Sequence, residues 1–116
     1  LRINDRTFVC KGNTKDFIWL SYKDFFRQSL AISDFLAICK SYEWFFIDDF
    51  DQNDDYGKDI IRRFIGFIDI AYIEKVKIKF FVRNDDIRNL YSGEELSFLW
   101  DRTISRLEEM RDTNDK

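Results

Sequence analysis

Histidine and proline are missing from this 116-residue chain, glycine occurs only 4 times and cysteine twice. The absence of histidine removes the commonest metal ligand and the commonest general base. Cys10 and Cys39 stand too far apart for a CxxC pair, and the further ligands a zinc site requires are absent, so no metal site is expected. Cys39 sits inside an apolar helical pattern and reads as core, not as a reactive thiol. No apolar run approaches the ~20 residues of a spanning helix, and no transmembrane segment is expected. No signal or transit pattern follows Leu1, and a reduced, cytoplasmic chain is the default reading. A strong charge of one sign is also lacking. The net charge is −3 with acids and bases interspersed, which makes no whole-chain case for nucleic acid or an anionic membrane as partner.

The chain is instead rich in apolar and aromatic residues. It is 45% hydrophobic and 18% aromatic, enough to bury the core of one compact domain. RTFVC (6–10) and DFIW (16–19), joined by KGNTK, predict a short hairpin or a pair of edge strands. Ser21 suits a helix N-cap before YKDFFRQ, and a second helix is expected from about Ser33. EWFFID (43–48) reads as a strand buried on both faces. Asp55 to Lys75 is the strongest helix, with Asp54 or Asp55 at its positive end and Lys75 at its negative end. VKIKFFV (76–82) reads as a strand. Asp85 or Asp86 is expected to cap a short helical turn to Tyr91, and an amphipathic helix follows from Glu94 to Arg111. The 43–82 run is a βαβ unit, whose strands should be parallel with a right-handed crossover.

WFFIDDF (44–50) has the look of a Walker B strand, an apolar run ending in carboxylates. That role needs a phosphate loop, GxxxxGK[ST], upstream. No such loop occurs, so a plain core strand is the preferred reading. Asp48, Asp49, Asp51, Asp54 and Asp55 crowd one loop, yet the glycine and closing glutamate of a calcium loop are missing. A solvated loop capping the next helix is preferred.

Two stripes carry arginine. Arg62, Gly66 and Asp69 share one helical face, with Arg63 beside them. Either Arg62 and Asp69 form a polar seam against a neighbouring element, or Arg62 or Arg63 faces a nucleotide or partner subunit. Gly66 between them suggests close approach, for example by another backbone. On the last helix, Arg102, Ser105, Arg106 and Glu109 form the second stripe. It reads either as a solvated face or as an arginine pair sensing phosphate.

Several segments in order resemble the C-terminal third of the AFG-like AAA+ ATPase family, which includes the bacterial cell-division ATPase ZapE and mitochondrial relatives. They are FIWLSYKDFF, LAISDFLAICKSYEWFFIDDF, IIRRFIGFIDIAYIEKVKI, the Leu90–Tyr91 pair and FLWDRTISRLEEM, from about Phe17 onward. RRFIGFID and SRLEEM are the most specific. Ala31 stands where the family has glycine, Phe26 where it has cysteine, and Phe50 where proline is usual. Phe81 and Val82 replace small residues.

The resemblance implies the C-terminal part of a P-loop NTPase (AAA+) fold: α/β, with a short N-terminal β-hairpin, then a βαβ unit with flanking helices. Residues 1–112 would be that region and 113–116 a frayed tail. It implies ATP and Mg²⁺ as cofactors of the full-length family, held upstream, with none expected for this fragment and no catalytic residue in it. Arg63 and Arg106 match motif arginines. The implied partners are the rest of the ATPase chain or other subunits, and possible cell-division or other proteins. An incomplete sheet should leave an unpaired edge and an exposed apolar face. The alternative is a stand-alone, non-enzymatic α/β protein-interaction domain.

Overall fold

A computed structural model of the chain describes residues 2–3, 6–51, 53, 55–81 and 87–114. Among these residues six strands and four α-helices follow one another: β1 (Arg2–Ile3), β2 (Arg6–Thr7), β3 (Gly12–Asn13), β4 (Phe17–Ser21), α1 (Tyr22–Phe25), α2 (Ile32–Ser41), β5 (Trp44–Asp48), α3 (Lys58–Glu74), β6 (Lys77–Phe80) and α4 (Ser97–Asn114). Among the described residues β1 and β2 pair only with each other, while the main sheet has the order β3-β4-β5-β6. β3 runs antiparallel to β4, and β4, β5 and β6 are mutually parallel. The chain is therefore α/β with a four-stranded mixed sheet.

The hairpin expected between 6–10 and 16–19 exists with its first arm moved. Gly12 and Asn13 pair with Trp19 and Ile18, and the tight turn that starts at Thr14 is closed by Thr14 N–H donating to Phe17 O at 2.9 Å. The single βαβ unit becomes two, because β4 is also parallel to β5 across α1 and α2. α1 is a single turn opened by Ser21, whose hydroxyl accepts from Asp24 N–H at 3.2 Å. α2 begins without a side chain able to cap it, because Ala31 occupies that position. Asp34 compensates in part, accepting the Ala31 N–H at 2.9 Å.

α3 starts three residues later than expected, after a 3-10 turn at Asp55–Gly57, and Gly57 is its N-cap. Asp55 therefore does not cap α3, and Asp54 lies outside the described residues. Lys75 closes the helix in the left-handed conformation. β6 is shorter than 76–82, and the capping role considered for Asp85 or Asp86 also falls outside the described residues. The short turn before Tyr91 is a 3-10 helix at Ile87–Asn89, and α4 begins at Ser97, not Glu94.

The core lies between the sheet and the helices. α3 buries Ile61, Phe64, Ile65, Phe67, Ile68 and Ala71, as its periodicity predicts. From the sheet come Ile18 and Leu20 of β4 and Phe45 and Ile47 of β5, all fully buried. Each such side chain contributes ~1.5–3 kcal/mol on burial. α4 lies on α3 and inserts Trp100, Leu107 and Met110.

β5 corrects the sequence reading most clearly. It is not buried on both faces. Phe45 and Ile47 are covered, whereas Trp44, Phe46 and Asp48 are half-buried on the other side. On that side the Phe46 ring contacts the rings of Phe17, Trp44 and Phe81. The apolar face expected of this sheet is present, and among the described residues β3 and β6 are the edges of the sheet.

Candidate functional site

Three polar clusters ring this scaffold. The first sits at the tips of β4 and β5. Lys11 Nζ donates to Asp48 Oδ2 at 2.8 Å and to Asp49 Oδ2 at 3.3 Å. Asp48 ends β5, and Asp49 follows in the left-handed conformation at φ 57°. The Asp49 carboxyl is held below the usual carboxylate range, first by a hydrogen bond from Ser21 and then by Lys11. Lys23 pairs with Asp51 at 3.7 Å. This arrangement does not fit a magnesium–nucleotide site. The carboxylates that would ligate the metal accept instead from an ammonium group. Among the described residues no three His, Cys, Asp or Glu side chains converge to hold a metal ion.

The second cluster joins α3 to α4 and gathers two of the four arginine candidates, Arg102 and Arg106. Asp69 accepts from Arg102 at 3.4 Å and from Arg106. The Arg106 guanidinium lies over the Tyr72 ring at 5.3 Å, and the Tyr72 hydroxyl donates to Glu109 at 2.6 Å. That bond raises the Tyr72 pKa. Ser105 turns back on its own helix, donating to Asp101 O at 3.3 Å. Asp69 is thus paired across to α4 and not with Arg62. Arg62 points to Glu95 at 3.5 Å, a carboxylate it shares with Lys58. Arg63 donates to the carbonyls of Phe26 at 3.1 Å and Arg27 at 3.4 Å, closing the end of α1.

Gly66 does not mark a backbone crossing. A Cβ there would meet only the Phe35 ring, at 3.6 Å, which is ordinary contact. Gly66→Ala should therefore stabilise the protein by ~0.5–1 kcal/mol, through helix propensity. Chemical denaturation measures this, and a loss of stability would show that α2 and α3 need the glycine.

The third cluster was not legible in the sequence. Asn53, in the acidic loop, forms a parallel bridge to Tyr91. Its N–H donates to Leu90 O at 2.6 Å, and its carbonyl accepts from Ser92 N–H at 2.8 Å. Its side chain accepts from the Tyr22 hydroxyl. Next to it, Asp55 accepts from the Tyr91 hydroxyl at 2.5 Å and from the N–H groups of Glu94 and Glu95. The only sequence signal was the Leu90–Tyr91 pair followed by a Ser-Gly turn. This cluster ties the strand-end loop to the segment leading into α4.

Every resolved shift moves its group away from neutrality. Asp49 and Asp55 are lowered, while Tyr22 and Tyr91 are raised. Burial pushes the Cys39 thiol up to about 12. None of these groups is poised for proton transfer near pH 7.

The fold and its clusters thus define an α/β unit built of successive parallel crossovers, with its ionic groups used mainly to join elements. The chain belongs to the AFG1-like ATPase family, whose family model matches residues 1–115. No curated protein and no solved structure matches it. Among the described residues no helix is long and apolar enough to cross a membrane.

Proposed function

We propose that this chain is the C-terminal part of an AFG1-like ATPase with a P-loop, AAA+ nucleotide-binding region, and that it serves ATP hydrolysis coupled to remodelling of protein partners. The family match over residues 1–115 carries this reading. The sequence supports it from the other side, since GxxxxGK[ST] is not among these residues. ATP and Mg²⁺ then belong to the rest of the ATPase chain or to another subunit. The compartment we assign is the cytoplasm, and cell division is the setting we assign for a bacterial member.

Among the arginines we assign Arg62 and Arg102 to a neighbouring subunit or nucleotide, because their side chains keep 49% and 45% exposure. Arg63 and Arg106 are committed to the Phe26 carbonyl and to Asp69.

By titration calorimetry with Mg²⁺, the chain alone should bind ATP no tighter than about millimolar, the weak end of the affinity scale. It should release no phosphate. Micromolar, Mg²⁺-dependent binding would overturn the reading.

A further inference from the structure

We propose that the loop leaving β5 is a strained strap, held at one end by Lys11 and at the other by Tyr91, and that its release at Asp49 loosens the start of α4. Two observations place strain at the first end. Asp49 sits at φ 57°, in the left-handed region. That region is costly for a residue with a Cβ and is kept only where the surroundings hold it. Beside it, among the described residues, Asp48 Oδ1 is buried with no hydrogen-bond partner. An orphaned buried oxygen of this kind is a second store of unfavourable energy. What holds the hinge is ionic. Lys11 Nζ donates to Asp48 at 2.8 Å and to Asp49 at 3.3 Å, and Asp49 also accepts a hydrogen bond from Ser21.

Beyond the hinge the loop is gripped at two points by one side chain. The Phe50 ring stacks on Tyr22 at 5.0 Å and lies 5.8 Å from Phe80. The hydroxyl of Tyr22, a fully buried residue, donates to the Asn53 side chain. Asn53 is in turn bound to Leu90 and Ser92 through its backbone, and Asp55 to Tyr91 and to the N–H groups of Glu94 and Glu95. The Tyr91 hydroxyl accepts the Leu96 N–H at 3.0 Å, one residue before α4 begins. A residue that leaves the left-handed region redirects the chain after it. At Asp49 that change turns Phe50 off the Tyr22 ring and draws Asn53 away from Leu90 and Ser92. The tips of β4 and β5 are thereby coupled to α4, which carries Arg102. Any effect on a neighbouring subunit or nucleotide rests on the function proposed above, whereas the strap itself does not.

Native-state hydrogen exchange on the whole chain tests this. Lys11→Met removes the ammonium and keeps much of the side chain's length. The amides of Asn53, Ser92, Glu94, Glu95 and Leu96 should then exchange about tenfold faster, while those of α2 keep their native rates. Asp49→Gly is the decisive contrast. Glycine is at ease in the left-handed region, so the hinge loses its strain along with its carboxylate, and the far end should stay protected. In the double variant the glycine should cancel the effect of Lys11→Met. The proposal is overturned by native rates at the far end in Lys11→Met or by an acceleration that α2 shares equally. It is also overturned if Asp49→Gly loosens the far end as much as Lys11→Met does. No nucleotide enters the measurement, so its failure would leave the ATPase reading standing.

Discussion

Phe64→Ala should cost ~3–5 kcal/mol of folding stability, the range for deleting a fully buried ring. For a domain of this size, with ~5–15 kcal/mol in all, that is a large fraction. The reason is position. Phe64 is fully buried, and its ring lies 5.2 Å from Tyr22 and 5.3 Å from Phe26, at the α1 turn. It lies 6.1 Å from Phe50, 6.2 Å from Phe80 of β6 and 6.2 Å from Trp100 of α4. One side chain on α3 therefore touches the strand-end loop, the sheet, α1 and α4, and rings so arranged cannot collapse into the space it leaves. Urea unfolding measures the loss. Phe64→Leu keeps part of the volume and should lose less, which gives a reading even if the alanine variant fails to fold. Phe98→Ala, at a residue 81% exposed on α4, is the matched control and should change stability little. A loss below ~1 kcal/mol for Phe64→Ala would mean that the centre of the core lies elsewhere.

Local patterns carried well from the sequence. The buried face of α3, the Ser21 cap and the places of β5 and β6 follow from periodicity and residue type within one element. The AFG-like resemblance rested on RRFIGFID and SRLEEM, and the family match agrees with it. What failed depended on partners distant in the chain. β3 has two residues, too few for any pattern. The second crossover was hidden because α1 is a single turn, broken from α2. WFFID reads alike whether its aromatics lie under a helix or on an open face, since composition reports apolarity and not cover. Asp69 and Arg62 could be read as a seam against a neighbouring element, but not which element: the partners of Asp69 are Arg102 and Arg106 on α4, 33 and 37 residues on. The Asn53–Asp55–Tyr91 cluster likewise spans 36 residues between Asp55 and Tyr91.

That cluster supports the other large effect, at Gly93. Its φ is not in the left-handed region, so the constraint is space and not backbone conformation. A Cβ at Gly93 would run into the Tyr91 hydroxyl and the Asp55 carboxylate. Gly93→Ala must therefore part those two groups, and the N–H groups of Glu94, Glu95 and Leu96 that they hold go with them. Overpacking of this kind costs ~1–3 kcal/mol, and a freed α4 would further expose Leu96 and Trp100. The signature lies in the acid limb. Asp55 is held below its ordinary range, first by the Tyr91 hydrogen bond and then by the Glu94 and Glu95 N–H groups, against an opposing effect of burial. Its folded value lies below the unfolded ~3.9, so the network's stability is fully present above about pH 4 and is lost as pH falls through the folded value. The gap between the native protein and Gly93→Ala should be widest at neutral pH and should narrow below pH ~4. Hydrogen exchange should show the α4 amides opening first in the variant. If Gly93→Ala kept native stability, or if the gap stayed constant down the acid limb, the Asp55–Tyr91 bond would not be what secures α4.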